Sequence, residues 1–248
     1  FGFTGKIALP EYNTDGTPFF EYRATELAIS ATTMRIEQPS SDGPEHIKAN
    51  VAAAQTALYV VGESPSQGRI GAEQMWWRGT HASNVVNVAN GTLAISPTNL
   101  NSSVVATLRA ENSTVRCGSA VTLTTVTCIN STLEINSAVT TLTVTGDQSE
   151  VHVKTSGTIT TLALNSGTVI HKSTGTITTL TMGPRAAIDY SQASGPVTIT
   201  NAVTFPAGAV FNDPEGRVTL SGGFVLGVGV TLADVSLNFG SNRTHTVA

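Results

Sequence analysis

Charged residues are scarce in this chain, at 12% of its 248 residues. Acidic residues outnumber basic ones, and the formal net charge is −4 at pH 7. A protein that binds nucleic acid through its phosphates, or that adheres to an anionic membrane surface, needs a concentrated basic field. We therefore expect neither nucleic acid nor a membrane among the partners of this protein.

Long apolar runs are also missing, because every apolar stretch is far shorter than the roughly 18 to 20 residues that cross a bilayer. Hydrophobic residues nevertheless make up 40% of the chain, which is enough for a core, so we expect a soluble, folded protein.

Cysteine is rare too. Cys117 and Cys128 fall at apolar positions of the repeat described below, which favours buried thiols, with an internal disulfide as the alternative.

A short repeat is what the chain has in abundance. The hexapeptide Gly-Thr-Ile-Thr-Thr-Leu occurs at Gly157–Leu162 and again at Gly175–Leu180. The wider pattern, apolar-Thr-Thr-apolar-x-apolar, also begins at Leu123 and at Val139. A second motif, apolar-x-apolar, recurs with the same spacing at Val115–Cys117, Leu133–Ile135 and Val151–Val153. Each period of the repeat therefore contributes two short strands.

These strands alternate apolar and polar residues, are rich in Thr, Val and Ile, and are bounded by Asn, Ser and Gly. Stacking successive turns of the chain lines their apolar positions into internal columns. The sequence thus predicts an all-β parallel β-solenoid (β-helix) with about 18 residues per turn over residues 91–248. Residues 1–90, where the period weakens, are predicted to be an N-terminal attachment or capping region with short strands, and Asp42–Gln55 a helix.

Catalytic chemistry has little support in the sequence, since the acidic residues are scattered and no catalytic, metal-ligand or cofactor motif is apparent. Arg116, Glu134 and His152 occupy equivalent outward positions on successive turns. They could form an acid–base pair with an anion-binding arginine, but we favour an exposed charge ladder. For His171 and Asp189 we favour a buried or surface histidine over a ligand. We expect no enzyme, no bound metal and no cofactor.

Threonine pairs separated by one apolar residue recur in register and should lie on one outer face. They are Thr122 and Thr124, Thr158 and Thr160, Thr176 and Thr178, and Thr198 and Thr200. Such an array resembles the Thr ladders of solenoid ice-binding proteins, whose regular hydroxyl and methyl groups can order water. The alternative is that Thr stacks well on any exposed sheet, and Ala138 interrupts one column.

The segment Trp77-Arg-Gly-Thr-His-Ala-Ser-Asn84, followed by Val85-Val-Asn-Val, resembles a stretch found in structural proteins of tailed bacteriophages. In those proteins Trp-Lys-Gly-Thr-His-Ala-Ser-Asn opens a run of β-helix turns. Arg78 stands here in place of that lysine, and Trp76 is an additional tryptophan. The resemblance covers the first part of the chain, whereas the remaining solenoid matches only in kind.

This resemblance implies a virion component on the particle exterior, either a capsid decoration protein or a head spike. The alternative is a tail fibre or spike that recognises a surface glycan. It further implies a homotrimer attached to the major capsid protein or another virion protein through residues 1–90. Trp76, Trp77, Arg78 and His81 are then expected at the interface or cap, as is the loop Ser64–Arg69, with burial as the alternative for both tryptophans.

Overall fold

The computed structural model describes residues 33–38, 47–51, 57–62, 75–96 and 102–240. The first ten strands are β1 (Thr33–Gln38), β2 (Ile47–Val51), β3 (Ala57–Gly62), β4 (Met75–Gly79), β5 (Val85–Ala89), β6 (Thr92–Ile95), β7 (Ser103–Glu111), β8 (Thr114–Cys117), β9 (Val121–Ile129) and β10 (Thr132–Ile135). The second ten are β11 (Val139–Thr145), β12 (Glu150–Val153), β13 (Ile159–His171), β14 (Gly175–Asp189), β15 (Val197–Ile199), β16 (Val203–Phe205), β17 (Val210–Asn212), β18 (Val218–Leu220), β19 (Phe224–Leu226) and β20 (Ser236–Asn238). A short 3-10 helix at Leu232–Asp234 is the one helix of the described residues, and none of their helices is long and apolar enough to cross a membrane.

All strand pairings in the described residues are parallel, and they join each turn of the chain to the next. β7 lies between β5 and β9, and β10 lies between β8 and β12. The chain therefore winds into a parallel β-solenoid of about 7 turns, roughly 19 residues apart, which confirms the predicted fold class. The spacing is not uniform, because the turn that joins Val126 to its partner Leu142 is shorter than the turn that joins Ile177 to Ile199. Loops absorb the difference because only the strands must match.

Each regular turn has three faces, as β9 and β10 show. Along β9, buried and exposed residues alternate as far as Thr124, but Thr124 and Thr125 both point outward. The pairing of β9 with β11 skips Thr124. The strand therefore bends at this step. We call residues 121–124 and their equivalents face 1, residues 125–129 and their equivalents face 2, and β10 with its equivalents face 3. β13 and β14 run through all three faces without interruption.

The corner between faces 2 and 3 is built by asparagine and serine. Asn90, Asn112 and Asn130 have left-handed backbone angles, with φ of 53°, 48° and 45°, a region that asparagine tolerates better than most residues. The serines that follow two of them, Ser113 and Ser131, are buried inside the corner. The backbone N–H of Ser113 donates to Ser131 Oγ at 3.0 Å, so the buried hydroxyl also ties one turn to the next.

The same stack extends upstream of residue 91. β3 pairs with β1 and β5, while β4 pairs with β2 and β6. The described strands of the predicted capping region are therefore rungs of the same solenoid, and the attachment role of residues 1–90 stays a prediction. The helix predicted over Asp42–Gln55 is wrong at Ile47–Val51, which is strand β2. Pairing with Met75–Gly79 outweighs the local helix propensity there.

The core is one continuous column of apolar side chains that runs from Trp77 to Phe224. Cys117 and Cys128 are free and buried within it, which confirms the prediction of buried thiols. Burial raises the pKa of both thiols to about 12, so they remain protonated at neutral pH. They pack as small hydrophobic residues.

Close contact between neighbouring turns makes Gly118 sensitive to substitution. A Cβ at Gly118 would overlap the Ser96 carbonyl oxygen, and the Gly118 N–H donates to the Ile95 carbonyl at 2.9 Å, which holds the backbone in place. We predict that Gly118→Ala lowers the free energy of unfolding by about 1–3 kcal/mol, measured by chemical denaturation. Gly227→Ala is the matched control, because its nearest neighbours lie 3.3 Å away or more. Equal losses in the two variants would contradict the close-contact explanation.

Candidate functional site

The segment Trp77–Asn84 locks two turns of the solenoid together. Trp77 is 1% exposed and forms part of the core. A Cβ at Gly79 would collide with the Trp77 ring and would lie 2.7 Å from Asn84 Nδ2, so only glycine fits there. Asn84 is fully buried, and its Nδ2 donates to the Val104 carbonyl at 2.9 Å. The Asn84 carbonyl accepts from Ala106 N at 2.9 Å, so both ends of this residue hold β7.

The residues between these buried positions are exposed. Thr80, His81, Ala82 and Ser83 form a surface loop, in which the Ser83 N–H donates to His81 Nδ1 at 3.1 Å. His81 is therefore accessible, as an interface residue must be.

Among the other predicted interface residues, Trp77 is buried in the core, which agrees with the alternative stated for both tryptophans. Trp76 and Arg78 lie in β4, in register with Lys48 and Asn50 of β2. Their side chains, and the loop Ser64–Arg69, lie outside what the structure describes.

Arg116, Glu134 and His152 are direct neighbours on face 3, as their spacing predicts. Glu134 is only 6% exposed, so the expectation of an exposed ladder is wrong at this position. It is covered because Lys154 Nζ lies 2.6 Å from its Oε2, and Asn136 Nδ2 donates to its Oε1 at 3.0 Å.

These contacts decide what the Glu134 carboxyl can do. Burial alone would raise its pKa, but the hydrogen bonds from Asn136 and Lys154, together with the positive charges of Lys154 and Arg116, outweigh burial and lower the pKa. Glu134 is therefore a carboxylate at neutral pH and has no proton to donate as a general acid. His152 interacts with Glu150 instead, so the hypothetical acid–base pair with Glu134 does not form.

His171 and Asp189 do not meet. His171 is in register with Val153 and is 2% exposed, which matches the alternative of a buried histidine. Asp189 is in register with Ile170, which like Asp189 is half-buried. The Asp189 carboxylate begins a side-chain ladder: Asn212 Nδ2 donates to Asp189 Oδ1 at 2.8 Å. On the next turn, Asn238 Nδ2 donates to Asn212 Oδ1 at 2.9 Å, so this polar stack follows the axis of the solenoid.

The predicted threonine ladder lies on the outside of face 1. Its members are exposed or half-buried: Thr122, Thr124, Thr158, Thr160, Thr176, Thr178, Thr198 and Thr200. Thr176 pairs directly with Thr198, and Thr198 with Thr219. Ala138 interrupts the column between Thr122 and Thr158, as the sequence indicates.

Face 2 carries a second threonine ladder that the sequence reasoning missed. One column is Thr107, Thr125, Thr141, Thr161 and Thr179, and the next is Arg109, Thr127, Thr143, Ala163 and Thr181. The signal was the Thr-Thr step of the repeat. Because the strand bends there, both threonines point outward, and the second one starts the new face.

Charge is distributed unevenly around the solenoid. The parts of β9, β11, β13 and β14 that form faces 1 and 2 contain no charged residue. Face 3 and its flanking corners carry the charges of these turns: Arg116, Glu134, Asp147, Glu150, Lys154, Lys172, Arg185 and Asp189. Over these four strands the two threonine faces are therefore uncharged, whereas face 2 of β7 carries the ion pair Arg109–Glu111.

Within the described residues, no group of three His, Cys, Asp or Glu side chains is placed to hold a metal ion. No family model matches the chain, and neither a curated protein nor a solved structure matches it. Two features of the molecule bear on function: the turn at Trp77–Asn84 and the threonine faces.

The buried amide of Asn84 should matter more than its exposed neighbour. We predict that Asn84→Ala lowers the free energy of unfolding by about 1–3 kcal/mol, because it leaves the Val104 carbonyl without this donor. Ser83→Ala, at the adjacent exposed position, should change stability by less than about 0.5 kcal/mol. Chemical denaturation of the two variants measures the difference. Similar stability of both variants would show that the segment does not lock the turns.

Proposed function

We propose that this protein is a structural component of a tailed-phage virion, specifically a capsid decoration or head-spike protein on the particle exterior. One observation carries the proposal. Within the segment that resembles phage structural proteins, Trp77, Gly79 and Asn84 are the residues that lock successive β-helix turns together. The resemblance therefore falls on residues with a shared structural task, at the place where the regular turns begin.

The rest of the solenoid is consistent with this function. Its turns are held by in-register backbone pairing around a continuous apolar core, an arrangement that suits a rigid projecting element. We further propose that residues 1–90 attach the protein to the major capsid protein or another virion protein, and that the full chain is a homotrimer. His81, in the exposed loop of the locking segment, is the described residue that we place nearest this contact.

Immunogold electron microscopy tests the location. Antibodies raised against the full chain should label the heads of purified particles from the phage or lysogen that encodes it, and pre-immune serum should not. Label confined to tails would instead support the tail fibre or glycan-binding spike. Label on no part of particles that infect normally would overturn the virion proposal. Light scattering after size-exclusion chromatography should give three chains for the free protein, and a stable single chain would count against the trimer.

A second candidate function is favoured by the two threonine ladders. Faces 1 and 2 present hydroxyl and methyl groups in register on successive turns, and the β9, β11, β13 and β14 parts of both faces lack charge. Adjacent turns of a β-solenoid lie about 4.8 Å apart, so the hydroxyl groups form a regular two-dimensional array. Such an array is suited to ordering water, and the second candidate is therefore ice binding.

Ice binding is tested with one substitution on each face. If the candidate function is right, the protein shows thermal hysteresis at millimolar concentration, and either Thr160→Tyr on face 1 or Thr143→Tyr on face 2 reduces it by disrupting the array. Glu150→Tyr, at an exposed position of β12 on face 3, should leave it unchanged. Absence of hysteresis in the unsubstituted protein would remove this candidate while leaving the virion proposal intact.

A further inference from the structure

The composition of the core changes along the solenoid. Between Val86 and Val169 the buried apolar side chains are aliphatic or cysteine. From His171 onward, aromatic rings join them and contact one another from turn to turn. The ring centroids are separated by 5.6 Å for His171–Tyr190, 5.3 Å for Tyr190–Phe211, 5.2 Å for Phe211–Phe239 and 5.5 Å for Phe205–Phe224. We call the contact between His171 and Tyr190 the seam, because the aromatic part of the core begins there.

His171 occupies an inward position that Val153 fills on the preceding turn. The ring is 2% exposed, and its hydrogen bond within the described residues is donated by Nδ1 to the Ser173 carbonyl at 3.1 Å. Tyr190, its neighbour on the next turn, is fully buried, and its hydroxyl has no hydrogen-bond partner in the described structure. A proton added to the imidazole would therefore place a positive charge between a valine and an unpaired phenol.

None of the described ionisable groups around the seam hydrogen-bonds to the His171 ring, whose partner is the Ser173 carbonyl. On the side of β12 the neighbour is Val153, which is apolar, and on the side of β14 it is Tyr190. Burial, followed by the nearby Asp213 charge, raises the pKa of Tyr190, so it stays a neutral phenol. The Asp213 carboxylate already accepts from Arg217 N at 2.8 Å and Val218 N at 2.9 Å.

Lys172 follows His171 directly along the chain, and Asp189 lies at the half-buried position in register with Ile170. Burial accordingly lowers the pKa of His171 to about 4, against an ordinary value of 6.5. Above pH 6.5 the imidazole is neutral in both the folded and the unfolded state, and the folded state keeps its full stability. As the pH falls from 6.5 towards 4, the unfolded state binds a proton that the folded state does not, so the free energy of unfolding decreases.

The turns beyond the seam are the ones able to open. β15 to β20 contain three residues each, whereas β13 contains 13 and β14 contains 15. Within the described residues β18, β19 and β20 pair on one side only. Tyr190 follows the end of β14, and its N–H donates to the Asn212 carbonyl on the next turn at 2.7 Å. Opening the terminal turns breaks this bond and lets Tyr190 move off His171, so water reaches the imidazole while the pairing of the aliphatic turns is unchanged.

We propose that the His171–Tyr190 seam is an acid-sensitive switch, at which protonation of His171 releases the aromatic C-terminal turns while the aliphatic turns stay folded. The switch does not depend on the virion function or on ice binding. It belongs to the way this core is built.

Hydrogen exchange measured by mass spectrometry on the full chain, corrected for intrinsic exchange rates, tests the switch. Between pH 7.5 and pH 5, protection of peptides covering residues 197–226 should fall about 30-fold, as linkage with pKa values of 6.5 open and 4 closed requires. Peptides covering β9 to β12 should change far less. Loss of protection in both regions to the same extent, or in neither, would overturn the proposal.

Two variants and one control assign the effect to His171. His171→Phe keeps a ring in the stack, and His171→Leu keeps an apolar side chain; either one, if protected at pH 7.5, should lose the pH-dependent difference. His152→Gln, at the outward position of the preceding turn in register with Ile170, should retain it. A drop that persists undiminished in the His171 variants would assign the acid response to another group and overturn the seam as its origin.

Discussion

The structure depends on one constraint: each turn must hydrogen-bond, in register and in parallel, to the turns before and after it. A strand such as β10 receives its partners from β8 on the preceding turn and β12 on the following turn, and has no stable alternative within its own turn. The inward side chains must therefore match in size from turn to turn. Corners must likewise stay compact enough for the next corner to sit on them, which is why Gly118 and Asn112 stand where they do.

This constraint explains what could be predicted from the sequence. Because each side chain must match its neighbour one turn away, the same residue type recurs in the sequence at the spacing of one turn. The pattern from Leu123 to Met182 was therefore enough to predict the fold class and the outward threonines. The upstream rungs were harder to recognise because their loops are longer. Ile47–Val51 pairs with Met75–Gly79 across a long intervening segment, and the Ala-rich sequence that follows β2 favoured a helix.

Other features could not be read from strict alternation. A bend inside a strand places two consecutive residues outward, and this is why face 2 was missed at Thr125 and Thr141. The surroundings of Glu134 depend on Asn136, further along its own turn, and on Lys154 of the next turn. Their side chains reach back over the carboxylate, and no periodicity in the sequence indicates such a contact.

The same constraint also separates properties around and along the solenoid. Because a residue contacts its own column rather than the opposite face, face 3 can accumulate charges while faces 1 and 2 remain uncharged in the same turns. Along the axis, aliphatic side chains fill the narrow regular turns, whereas rings such as Phe205 and Phe211 accompany longer turns, such as the one that joins Asn212 to its partner Asn238. The C-terminal end therefore differs from the regular turns in both turn length and core chemistry. A partner or a change of solution conditions that acts on this end can therefore leave the threonine columns of β9, β11 and β13 intact, whereas Thr198 and Thr219 belong to the turns that respond.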